Sequence, residues 1–84
     1  MAVYVKRVDQ GTRAGFVSGR RVGGAVARNR ARRLMREAWR AAAGEARPGF
    51  EVVFLALPRI DGATAADVAS EMRQMLAEAG VTQP

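Results

Sequence analysis

Arginines crowd one part of this chain. Arg20, Arg21, Arg28, Arg30, Arg32, Arg33, Arg36 and Arg40 all fall within Gly19–Arg40, where Glu37 is the one acid. The whole chain has 14 basic and 8 acidic residues, so outside this stretch six bases face seven acids. The net charge of +6 is therefore local. Charge concentrated in this way calls for a polyanionic partner, and a nucleic acid is the first candidate. Only one of the basic residues is Lys. The planar guanidinium fork binds two phosphate oxygens at once, so the Arg bias favours phosphate recognition. Bond-breaking chemistry is harder to assemble. The chain has no His and no Cys, the usual general bases and nucleophiles. Its acids, from Asp9 to Glu78, are scattered singly, without the spacing of a two-metal carboxylate site. We expect no catalytic residue and no metal site in this chain.

A helix must carry the arginines. From Ala25 there is no Pro or Gly until Gly44, and Arg, Ala, Leu, Met and Glu favour helix. Gly23-Gly24 gives a sharp entry, and Gly44 is the expected stop. At 100° per residue, Ala27, Ala31, Leu34, Met35, Ala38 and Ala42 form an apolar arc with Trp39 at its edge. Arg28, Arg32, Arg36 and Arg40 follow one another at i, i+4 beside it. Like charges at that spacing repel by a few tenths of a kcal/mol per pair in an isolated helix. A face built only for water would intersperse Glu.

The spaced run Val22-Gly23-Gly24-Ala25-Val26-Ala27-Arg28-Asn29-Arg30-Ala31-Arg32-Arg33-Leu34-Met35-Arg36-Glu37-Ala38-Trp39-Arg40 resembles the signature of the protein subunit of bacterial ribonuclease P. That pattern has a basic pair, Gly, Ala-Val, Arg-Asn-Arg, basic-Arg-Leu, then Arg and an aromatic. The resemblance extends from about Ala2 to Gly80.

Ala2–Val8 is β-branched and aromatic and predicts a strand, with Tyr4 and Lys6 on one face. Asp9-Gln10-Gly11 is a turn. Thr12–Ser18 predicts a second strand, antiparallel to the first because the connection is short, with Gly15 marking a bulge or a close backbone approach. Phe50–Leu57 is the most apolar run and predicts a central strand ended by Pro58. Thr64 to Asp67 resembles a capping box. The helix after it runs to about Ala79, with Val68, Met72, Met75, Leu76 and Ala79 inward and Gly80 closing it. The order β-β-α-β-α in one domain, residues 1–84, is an α+β fold with two helices on a small mixed sheet. The family resemblance implies a ribonuclease P protein-like core whose βαβ crossover is left-handed. The family also has an N-terminal helix before the first strand, whereas this sequence starts at the strand.

The resemblance also implies a role. In ribonuclease P the RNA subunit hydrolyses precursor tRNA with Mg²⁺ to free the mature 5′ end, and the protein assists. By motif, Arg28, Asn29, Arg30, Arg32, Arg33 and Arg36 face the catalytic RNA, and Arg20 and Arg21 extend that surface. Tyr4, Lys6 and Phe16 are the candidates for the single-stranded leader. The expected partners are ribonuclease P RNA and precursor tRNA, with no cofactor held by the protein itself and Mg²⁺ entering through RNA. Without the N-terminal helix, the open sheet face invites self-association. No apolar run approaches the ~20 residues of a membrane span, and no signal peptide is visible, so a cytoplasmic protein is expected. A ribosomal-type RNA-binding protein is the alternative. A major-groove DNA reader ranks below it, because no short helix precedes the basic one.

Overall fold

The computed structural model describes residues 1–83. Strand β1 spans Ala2–Arg7 and β2 spans Thr12–Ser18. A 3₁₀ turn at Arg20–Val22 leads into α1, Ala25–Ala42. Strand β3, Phe50–Ala56, follows, then a 3₁₀ turn at Pro58–Ile60 and α2, Ala65–Glu78.

The three strands form one sheet in the order β1-β3-β2. β1 runs antiparallel to β3, and β2 runs parallel to it. β1 and β2 are thus opposite in direction, as their short connection predicts, but they are not a hairpin. β3 lies between them. The connection Val8–Gly11 must cross two strand spacings, about 9–10 Å. Four residues reach about 13 Å, so the span is feasible. The most apolar strand takes the centre, where both of its edges are hydrogen-bonded. The amide of Val8 donates to the Gly49 carbonyl (3.0 Å), which pins the turn to the loop before β3. Gly15 is neither a bulge nor a tight approach. Its register with Val53 is unbroken, and a Cβ there would meet Val53 Cγ2 at an ordinary 3.9 Å.

Register divides the sheet into two faces. Val3, Phe54 and Phe16 form one cross-strand row, and Val5, Val52 and Ala14 the next. This side meets the helices, and Val52 and Phe54 are fully buried. Tyr4, Val53 and Gly15 form a row on the opposite side, with Lys6, Glu51 and Arg13 beside it and Ala2, Leu55 and Val17 on its other flank. That face is open: Tyr4 is 61% exposed and Val17 48%.

The core lies between the sheet and the two helices. From α1 it takes Ala31, Leu34, Met35, Ala38 and Ala42, and from α2 Val68, Met72 and Leu76. Ala27, on the predicted arc, is half-buried. Ala79 is exposed because α2 ends at Glu78 and leaves it as the C-cap. Thr64 and Asp67 complete the capping box reciprocally, each side chain accepting from the other's backbone amide at 3.1 Å. Gly80 closes α2 at φ 78°, and the next amide, Val81, donates back to the Leu76 carbonyl at 3.0 Å. α1 stops differently from the expectation. The chain tightens into a 3₁₀ turn at Ala43–Glu45, and Gly44 takes no left-handed conformation there.

Candidate nucleic-acid interface

The approach to α1 fixes where its arginines start. Val22 is buried and anchors the 3₁₀ turn, leaving Arg20 and Arg21 exposed. Gly23 then adopts φ 140°, where an added Cβ would lie 3.1 Å from the Ala27 Cβ. Only glycine makes this corner without strain. No side chain caps the helix at Gly24.

Burial of the apolar arc turns the opposite side of α1 outward. Asn29, Arg33, Arg36 and Arg40 are exposed, and Arg28 and Arg32 are half-buried. Arg32 donates a hydrogen bond to the Asn29 carbonyl oxygen Oδ1, one turn away. This fixes the guanidinium while leaving most of its five N–H donors free. Arg36 lies over the Phe16 ring, 5.9 Å from its centroid. Arg30 falls at the far edge of the polar arc. Its Nη2 donates to the Ala63 carbonyl at 2.7 Å, so it ties α1 to the start of α2. Among the described residues, the ion pairs are Met1 ammonium–Glu71, Arg13–Glu51 and Arg59–Glu71. None involves an arginine of Gly19–Arg40.

The leader candidates are not brought together. Tyr4 and Lys6 project from the open face. Phe16 lies on the helix face, where it stacks on buried Phe54 at 5.7 Å between centroids and 11° between planes. Phe16 is thus a core aromatic with Arg36 over its ring. Trp39 meets Phe54 from α1 at 5.8 Å and packs as its position at the edge of the apolar arc predicts.

Two features escaped the sequence reading. Arg13 pairs with Glu51 at 3.1 Å on the open face, next to Lys6. Alternation along β2 would have placed Arg13 there once its register was known. The second is a cavity of about 360 Å³ between the Pro58–Ile60 turn and α2. It carries Asp61, Asp67 and Glu71, the wrong sign for RNA. Asp67 is engaged in the helix cap and Glu71 with the Met1 ammonium and Arg59. No group of three or more metal-ligating side chains comes together among the described residues. No helix among them is long and apolar enough to cross a membrane.

This arrangement of sheet and helices has known counterparts. The family model for Ribonuclease P matches residues 1–80. The chain belongs to the ribonuclease P protein family. The ribonuclease P protein component of Roseiflexus sp. (strain RS-1) is 41% identical over 73 residues, covering 86% of this chain and 60% of the relative. That of Acidothermus cellulolyticus is 43% identical over 81 residues, covering 90% and 66%. The chain therefore spans about three-fifths to two-thirds of the length of these ribonuclease P relatives. The fold agrees with the Staphylococcus aureus RNase P protein structure at a TM-score of 0.83 and 20% identity, covering 96% of this chain and 75% of that one. It agrees with the Thermotoga maritima RNase P protein at 0.80 and 23%, covering 90% and 74%.

Proposed function

We propose that this chain is the RNA-binding protein subunit of ribonuclease P, acting in the cytoplasm in removal of the 5′ leader from precursor tRNA. The observation that carries this reading is the outward side of α1, a field of arginines with no ion-pair partner among the described residues. Arg28, Asn29, Arg32, Arg33 and Arg36 contact phosphates of the ribonuclease P RNA, and Arg20 and Arg21 extend the contact ahead of the helix. Arg30 contributes its remaining donors while holding α1 against Ala63. Phosphate contacts of this kind position a protein on RNA without reading its sequence, which suits a subunit that supports a folded RNA.

Hydrolysis belongs to the RNA subunit. Mg²⁺ held by RNA would supply Lewis-acid activation of water and stabilise the leaving oxygen. Among the described residues no three metal-ligating side chains come together, which fits an ion held by RNA. The leader lies along the open sheet face. Tyr4 supplies a ring for base stacking and Lys6 a charge for the backbone, a combination suited to single strands. The same open face is where two free copies would associate in the absence of RNA.

The test is reconstitution. A bacterial ribonuclease P RNA should cleave precursor tRNA faster at low Mg²⁺ when this chain is added. Binding of the RNA without any such stimulation would favour a structural role of ribosomal type.

A further inference from the structure

A second cavity, of about 230 Å³, opens at the end of the sheet where β2 and β3 both finish. Its walls are Val22, Leu55, Ala56, Leu57 and Pro58. Arg20, Arg21 and Gly19 complete the lining, and no carboxylate takes part. The two 3₁₀ turns, Arg20–Val22 and Pro58–Ile60, pack together beside it. We propose that this cavity receives one unpaired base of the bound RNA, with Arg20 and Arg21 holding the phosphates on either side. This rests on the RNA-binding role argued above and adds a site to it.

Three observations select this occupant. The first is chemical match. An apolar wall beside two guanidinium groups suits a flat ring attached to a phosphate, and base stacking against such walls is tolerant of sequence. The acid-bearing cavity at α2 lacks this match. The second is size. The volume falls below the roughly 300–1,000 Å³ of pockets that enclose drug-sized ligands, which leaves room for a single ring system. The third is position. Leu55 belongs both to this cavity and to the open face, in the row with Ala2 and Val17. Arg20–Val22 leads directly into α1. A strand lying on Tyr4 and Lys6 would pass the cavity on its way to the basic helix.

Gly19 gives a clean way to close the cavity. Its φ of −92° suits any residue, and a Cβ there meets nothing within 4 Å. Gly19→Leu should fill the mouth without strain, and Gly44→Leu, also in open space, serves as a distant control. The probes are a short single-stranded oligoribonucleotide and an abasic strand of equal length. Gly19→Leu should weaken binding of the base-bearing strand about 5- to 150-fold, as loss of one base contact would, with an unchanged salt slope. Gly44→Leu should bind like the wild type. In wild-type protein, the methyl NMR signals of Leu55 and Leu57 should shift with the base-bearing strand and stay still with the abasic one. Unmoved methyls, or unchanged affinity in a Gly19→Leu protein with a normal melt, would overturn the cavity assignment alone. If Gly19→Leu lowers the melting temperature, the wild-type methyl shifts decide. Failure of the wild type to bind either the oligonucleotide or ribonuclease P RNA would instead remove the RNA-binding role itself.

Discussion

Replacing Trp39 with Ala should destabilise this protein without touching its RNA surface. The ring is half-buried at the edge of α1's apolar arc and meets fully buried Phe54 at 5.8 Å. Truncating a fully buried Trp costs about 3–5 kcal/mol, so a half-buried one should cost about 2–3 kcal/mol. An 84-residue domain has a total stability of about 4–13 kcal/mol at the usual 0.05–0.15 per residue. The loss is therefore a large fraction of the whole. At about 4–8 °C per kcal/mol for a domain of this size, the melting temperature should fall by roughly 8–24 °C. Thermal unfolding followed by circular dichroism reads this directly. Well below the new midpoint, the salt dependence of RNA binding should match the wild type, because no phosphate contact is lost. A normal melt together with weaker RNA binding would show that the indole contacts RNA and that its packing against Phe54 contributes little.

Other substitutions separate roles that lie close together. Phe16→Ala should lower stability by about 2–4 kcal/mol, since its ring stacks in the core, whereas Tyr4→Ala on the open face should leave the melt within about 0.5 kcal/mol and weaken leader binding. Denaturant titrations and the affinity ratio of precursor to mature tRNA check the pair. Arg30→Ala removes the bond to Ala63 and should cost about 1–2 kcal/mol of stability, while Arg33→Ala, fully outward, should cost almost none and still reduce RNA affinity. Gly23→Ala forces a Cβ into φ 140° against Ala27 and should cost about 1–3 kcal/mol, seen as a lower midpoint in urea.

Much of this was legible in the residues. The 3.6-residue period of Ala31, Leu34, Met35, Ala38 and Ala42 fixed both the buried side of α1 and, by exclusion, its arginine side. Thr64 and Asp67 announced the start of α2 because their bonds are local. What remained hidden was non-local. The short Val8–Gly11 connection gives the direction of β2 but not its neighbour, and the sequence carries no local mark that β3 inserts between the first two strands. That insertion sets the register that sends Phe16 to the helix face and Tyr4 to the other. Arg30 was hidden for the same reason. Its position on the polar arc is local, but the Ala63 carbonyl that holds it arrives from a distant loop. The cavity beside the two 3₁₀ turns joins residues more than thirty positions apart.

If α1's arginines neutralise RNA phosphates, the slope of log affinity against log salt measures it directly. Binding of a bacterial ribonuclease P RNA should be compared for wild type and the triple variant Arg28→Ala, Arg32→Ala, Arg33→Ala. Each phosphate contact contributes about 0.7–0.9 to the slope, so three lost contacts should flatten it by about 2–3 units. Between 50 and 200 mM salt, a slope difference of that size changes the ratio of affinities by roughly 15- to 60-fold. The melting temperature should stay near that of the wild type, because these side chains lie outside the core. An unchanged slope in a variant that melts normally would contradict the account and take the RNA interface off this face of the helix.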